Sequence, residues 1–181
     1  MPQGVEYRTG AWLSVLRTYL AMSLGGHFAW EVVQLPLYTI FWTETPTRIA
    51  YAVLHCTVGD VLITLSTLIV SLVAIGSGRW PGDRKTYARV AGLSVALGVS
   101  YTAYSEWLNT SVRHAWSYAA AMPVVPPFGI GLSPLLQWLV IPVAAFVVTA
   151  RICRISCDEW PEAPETTDTR VRASWKGTAR D

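Results

Sequence analysis

Five ionisable residues interrupt stretches that are otherwise apolar: His27 and Glu31 in one, His55 and Asp60 in the next, Glu106 in a third. A histidine and a glutamate four residues apart on a helix can hydrogen-bond. That contact fixes the imidazole tautomer and makes the pair an acid/base relay, for which further carboxylates at Asp60 and Glu106 would accept or hold the proton. The same side chains supply nitrogen and carboxylate donors that suit zinc, iron or manganese. The carboxylates outnumber the histidines, however, and no ExxH pair completes a di-metal set. Haem held by His27 and His55 would sit badly beside three carboxylates. No metal is therefore assigned, and the cofactor is left open. No serine or cysteine nucleophile motif and no phosphate-binding glycine loop stands out.

The stretches that carry these residues are long and apolar. Of 181 residues 52% are hydrophobic and 14% charged, against roughly 25% charged in soluble domains, which points to a membrane protein. Six of the twelve acids and four of the fourteen bases follow Arg154, so the first 154 residues are the lipid-compatible part. A net charge of +2, with no basic stripe interleaved with aromatics, excludes a nucleic-acid partner. Apolar runs of about 20 residues give four spans, at about 13–35, 46–75, 84–109 and 134–152. Pro36 stops the first and Gly76-Ser77-Gly78 the second. Thr45-Pro46, Asp83 and Ser133-Pro134 are cap signals for the others. Pro142 should kink the last. The fold class expected is all-α, a polytopic membrane protein of four antiparallel transmembrane helices.

Lysine and arginine collect at Arg79, Arg84, Lys85 and Arg89 and again at Arg151 and Arg154, which places those ends, and both termini, in the cytoplasm. At about 1.5 Å per residue, His27 and Asp60 then lie near the midplane, with Glu31, His55, Glu106 and Gln137 closer to the outer surface. Helical rotation sorts the faces. His27, Glu31 and Gln34 fall within about 40° of one another, whereas His55 is turned about 140° from Asp60. Cys56, Asp60, Thr64, Thr67 and Ser71 form a second polar stripe, and Thr102, Glu106 and Asn109 a third. Trp30, Gln34, Tyr101, Tyr104, Asn109, Gln137 and Trp138 are the side chains expected to line a cavity around the five ionisable groups.

The 110–133 segment is either a lid over that cavity or an interfacial connector. Residues 111–121 could form a short interfacial helix, and 122–131 is apolar but too rich in proline and glycine for one. Residues 155–181 read as a disordered polar cytoplasmic tail. Cys56, Cys153 and Cys157 have neither CxxC nor zinc spacing and read as free thiols. The first helix has no small-residue cleavage site and should be retained.

Any one of these polar residues is better explained as interhelical hydrogen-bond glue, each bond contributing about 0.6 kcal/mol. Five at one depth on three helices favour a site. The motifs His27-Phe28-Ala29-Trp30-Glu31 with Gln34-Leu35-Pro36-Leu37-Tyr38, His55-Cys56 with Gly59-Asp60, Ser105-Glu106-Trp107, and Gly131-Leu132-Ser133-Pro134-Leu135-Leu136-Gln137-Trp138 resemble those of an uncharacterised family of small bacterial four-helix inner-membrane proteins. That resemblance covers about 13–152 and implies a multi-pass protein of the bacterial inner (cytoplasmic) membrane, with no activity attached. The HxxxE with an acid on the next helix is also loosely similar to membrane sterol isomerases, an analogy of mechanism. The function expected is binding or acid/base conversion of an apolar or amphiphilic small molecule, with His27, Glu31, His55, Asp60 and Glu106 as the catalytic set. The alternatives are a proton-coupled transporter or channel component, and a structural accessory subunit. The expected partners are the bilayer and a lipid-like small molecule, with further copies of the chain or other membrane subunits left open.

Overall fold

The computed structural model of the chain describes residues 3–76, 78 and 80–153. The tail expected at 155–181 and Cys157 lie outside the described residues. The chain is predominantly helical, with four long helices: α1 (Gln3–Gln34), α3 (Pro46–Ile75), α4 (Arg84–Trp107) and α5 (Leu132–Ile152), and a single turn, α2 (Ile40–Thr43), between the first two. α1 packs on α3 and α5, and α4 on the same two, so the four close a ring. Neighbours run antiparallel: on α1, Thr18 meets Cys153 while Trp30 meets Ser133, the far end of α5.

Local signals account for most of the boundaries. Gly76 ends α3 with φ +93°, its N–H donating to Leu72 O at 3.0 Å; a side chain at that φ would be strained. Asp83 caps α4, accepting from Thr86 N at 2.8 Å. Two cap expectations differ. Thr45 precedes α3 without a side-chain cap bond, and α5 starts at Leu132, one residue before Ser133, whose hydroxyl is engaged with α1 instead. Residues 113–121 form no helix. A π-helical turn, Leu108–Val112, extends α4, and the chain then runs irregularly into a minimal hairpin of β1 (Val124–Val125) and β2 (Ile130–Gly131). Four prolines within 123–134 remove the amide donors a helix would need.

The helices are apolar outside and polar inside. α3 turns Leu54, Val58, Leu62, Ile69 and Val73 outward and buries Thr57, Asp60, Thr64, Thr67 and Ser71. Water would select the reverse. α3 and α5 are long and apolar enough to cross a membrane; α1 and α4 have the length, but His27, Glu31, Gln34, Thr102 and Glu106 dilute their apolarity. The interior is divided along its length. Val15, Tyr19, Leu68, Leu72, Trp80, Tyr87, Val90, Ala145 and Phe146 form an aromatic core at the 76–83 end. Tyr87 ties α4 to α5 there by donating to Phe146 O at 2.8 Å. A hydroxyl layer follows, in which Ser94 donates to Ser71 at 3.0 Å, and the charged residues lie beyond it.

Gly98 sets the approach of α4 to α5. A Cβ there would lie 2.3 Å from the Trp138 ring, whereas one at Gly92 meets nothing within 4 Å. Gly98→Ala should destabilise the protein by about 1–3 kcal/mol through overpacking, with Gly92→Ala close to wild type. Thermal unfolding in detergent checks this, and equal melting of the two variants would refute the close-approach role.

Candidate functional site: a shared amide between two carboxylates

α1, α3 and α5 converge on the Gln137 side chain. Its Nε2 lies 2.9 Å from Asp60 Oδ2, 3.0 Å from His27 Nδ1 and 3.1 Å from Glu31 Oε1. Gln34 donates to Glu31 Oε1 at 2.8 Å and to Gln137 Oε1 at 3.2 Å. Its own oxygen accepts from Ser133 at 2.9 Å, and Ser133 accepts from the Trp30 indole at 3.2 Å. On the other side Trp138 Nε1 donates to Asp60 Oδ1 at 3.3 Å, and its ring lies 4.9 Å from that of His27. His27 is fully buried, Gln137 nearly so, and Glu31 only in part.

The hydrogens in this network can be counted. A side-chain amide has two N–H donors, and Gln137 Nε2 faces three acceptors. The amide hydrogens meet at most two of them, and His27 Nδ1, which donates or accepts according to tautomer, can turn its own hydrogen to Asp60 Oδ2 at 3.5 Å. Gln137 Nε2 holds Glu31 Oε1 and Asp60 Oδ2 close to one another, and two ionised carboxylates at such a spacing repel. His27 Nδ1 lies 3.5 Å from Asp60 Oδ2, a pair that is ionic only when the imidazole is protonated, and Arg48–Glu44 is a surface ion pair. Among the described residues no lysine or arginine pairs with Glu31 or Asp60. The arrangement sets two carboxyl groups on one amide with an imidazole beside them, a set chemically able to hold and pass a proton.

Glu106 forms a second, adjoining centre. It accepts a hydrogen bond from the Tyr118 phenol, which in turn accepts from Gly131 N at 2.9 Å. Tyr118 pairs with Tyr38 between the α1–α3 and α4–α5 connections, and flanking bonds from Thr39 N to Ser117 O (3.0 Å) and from Ala119 N to Leu37 O (2.9 Å) extend the seam. Burial first, then the bond to Glu106, holds the Tyr118 phenol above its ordinary range. Burial, followed by the Glu106 charge, does the same for Tyr38. Both phenols therefore stay protonated at neutral pH, and the 110–131 segment is fastened over this end of the helices.

Of the residues expected at the site, His27, Glu31, Asp60, Gln34, Gln137, Trp30 and Trp138 meet in one network, with Glu106 adjoining. His55 does not join them: it is exposed and stacks on Tyr51, ring centroids 5.7 Å apart. Tyr101 and Tyr104 face outward. Asn109 turns back to Ser105, donating to its carbonyl at 2.9 Å. These side chains bond one another across the space between the helices. A cavity of about 190 Å³ lies elsewhere, between α1 and α5, lined by Ala21, Met22, Gly25, Gly26, Ile141, Ala144 and Ala145. Ser133 and Tyr118 are the additions. Ser133 reads in sequence as a helix cap, and Tyr118 lies in an irregular segment with no periodicity to assign it a face. Among the described residues no three His, Cys, Asp or Glu side chains are grouped so as to hold a metal ion, and Cys56 and Cys153 are free thiols.

No family model, curated protein or solved structure matches this chain.

Gln137→Leu keeps the approximate volume and removes the donors that Glu31 and Asp60 share. It should destabilise the protein by about 1–3 kcal/mol, or more if a charge is stranded. Unfolding measured in detergent checks this; a variant as stable as wild type would show that the amide is not what holds the carboxylates.

Proposed function

We propose that the chain is a four-span integral membrane protein of the bacterial inner membrane. Both ends lie in the cytoplasm, and the His27–Glu31–Asp60 centre in the outer half holds a proton that it exchanges with an apolar or amphiphilic small molecule. One observation carries the reading: two carboxyls and an imidazole are gathered on a single buried amide, and among the described residues no lysine or arginine pairs with them. The inverted arrangement of α3, polar within and apolar without, supports the membrane setting. Arg84, Lys85 and Arg89 at one end of the helices and Arg151 at the same end support the orientation. Glu31, partly exposed beneath the Tyr38–Tyr118 seam, is the group a ligand would reach first. In that role Glu31 would give or take the proton, Asp60 would hold it between events, and His27 would restore it.

A second reading, proton-coupled transport, is favoured by a separate observation. His27 Nε2 is buried without a partner on the ring flank turned from the carboxylates, as a group waiting to pass a proton inward would be.

The test uses Glu31→Gln, which keeps the shape and removes the exchangeable proton. Lipid-soluble molecules co-purifying with the protein are extracted and identified by mass spectrometry. The first reading expects an amphiphile enriched over bulk lipid with the wild type, and lost or left unconverted with Glu31→Gln at unchanged melting temperature. Proton flux into vesicles without an enriched amphiphile would move the assignment to transport. Neither signal, or a Glu31→Gln protein indistinguishable from wild type, would leave a structural role.

A further inference from the structure

Three buried polar atoms beside the carboxyl dyad have no hydrogen-bond partner: His27 Nε2, Ser23 Oγ and Thr64 Oγ1. Their residues are 0%, 1% and 0% exposed. Helix geometry brings them to one level. Side chains lean towards the N-terminus of their own helix, and α1 and α3 run in opposite directions, so His27 leans towards the turn of Ser23 while Thr64 leans towards the turn of Asp60. His27 Nδ1 meets Asp60 Oδ2 at 3.5 Å. By helical register, one turn from that contact along each helix puts Ser23 and Thr64 at the same level. Nε2 is the ring nitrogen that the contact leaves unengaged. The Tyr19 hydroxyl neighbours Ser23 one turn beyond, where the aromatic core begins.

We propose that His27 Nε2, Ser23 Oγ and Thr64 Oγ1 form a binding site for an ordered water molecule that links the carboxyl dyad to the inward-leading hydroxyls. Buried waters typically make about three hydrogen bonds to polar groups that would otherwise go unsatisfied. Hydroxyls donate and accept, and an imidazole nitrogen does either according to tautomer, so the three atoms satisfy a water in every protonation state of the ring. The site gives the second imidazole nitrogen a partner, which a relay requires. When the water carries an excess proton, an O–H bond of hydronium breaks as an N–H bond forms at Nε2. The N–H bond at Nδ1 then breaks as an O–H bond forms on Asp60. One proton has moved from water to carboxylate, and a return of the ring to its first tautomer resets it. This use of the water rests on the proton-holding reading of Glu31 and Asp60; the water site itself does not.

The test is magnetic resonance of the full chain, with histidine labelled with nitrogen-15, in lipid bilayers, following magnetisation transfer from water to each imidazole. The exposed His55 and His114 serve as internal positive controls. Transfer to His27 Nε2 is expected in the wild type. It should fall at least about fivefold in Ser23→Ala/Thr64→Val, which removes two of the three ligands a buried water needs, while the Nδ1 signal stays unchanged. Thr64→Ser, which keeps the hydroxyl, should retain it. Absence of transfer to His27 in the wild type overturns the proposal whether or not the double variant folds, as does undiminished transfer in a folded double variant. Glu31→Gln separates the two claims: transfer to Nε2 should persist there even if the proton-holding reading fails.

Discussion

The arrangement of the helices depends on one contact, the Gln137 amide held between Glu31, Asp60 and His27. It joins α1, α3 and α5 through a single nitrogen. Buried carboxyl groups without a cation are costly in an apolar surrounding, and each neighbouring feature supplies a hydrogen or excludes an alternative. Gln34 adds a second amide to Glu31, Trp138 an indole N–H to Asp60, and Ser133 holds Gln34 in the orientation that presents its Nε2 to the site. Gly98 lets α4 approach the Trp138 ring closely enough to close the network from the fourth side.

That contact also explains why the interior is divided. An aromatic core of Tyr19, Trp80, Tyr87 and Phe146 fixes one end by packing, with Trp80 and Tyr87 stacked at 6.3 Å and Tyr19 against Phe146 at 4.3 Å. The other end is fixed by hydrogen bonds. Packing tolerates small displacements, whereas a shared amide must be met within a few tenths of an ångström on three sides. The two loops at that end, sewn together at Tyr38–Tyr118 and fastened to Glu106, limit movement of the helix ends that carry the network.

Much of this was legible in the chain and some was not, for geometric reasons. Apolar runs broken by glycine and proline are enough to indicate helices, and three residues of one helix need only the rotation per residue to share a face, as His27, Glu31 and Gln34 do. The Asp83 cap is likewise a local matter. Depth, by contrast, is a poor guide to contact. His55 lies near Asp60 in the chain and at a similar level, but its rotation puts it on the outer face against Tyr51, and rotation outweighs depth in deciding what a side chain touches. Tyr101 fails for the same reason. Ser133 and Tyr118 are invisible to any periodicity, because their roles arise from the packing of α5 on α1 and from the seam between two irregular loops.

The central claim is that Glu31 and Asp60 share a proton at neutral pH. Infrared spectroscopy of the protein in bilayers reads this directly, since an un-ionised carboxyl has a carbonyl stretch well separated from the carboxylate bands. The account predicts such a band at neutral pH, lost in Asp60→Asn, where Glu31 no longer has a second carboxylate to share with, and retained in Glu106→Gln. A wild-type spectrum with carboxylate bands alone, or a carboxyl band that Asp60→Asn leaves in place, would contradict it.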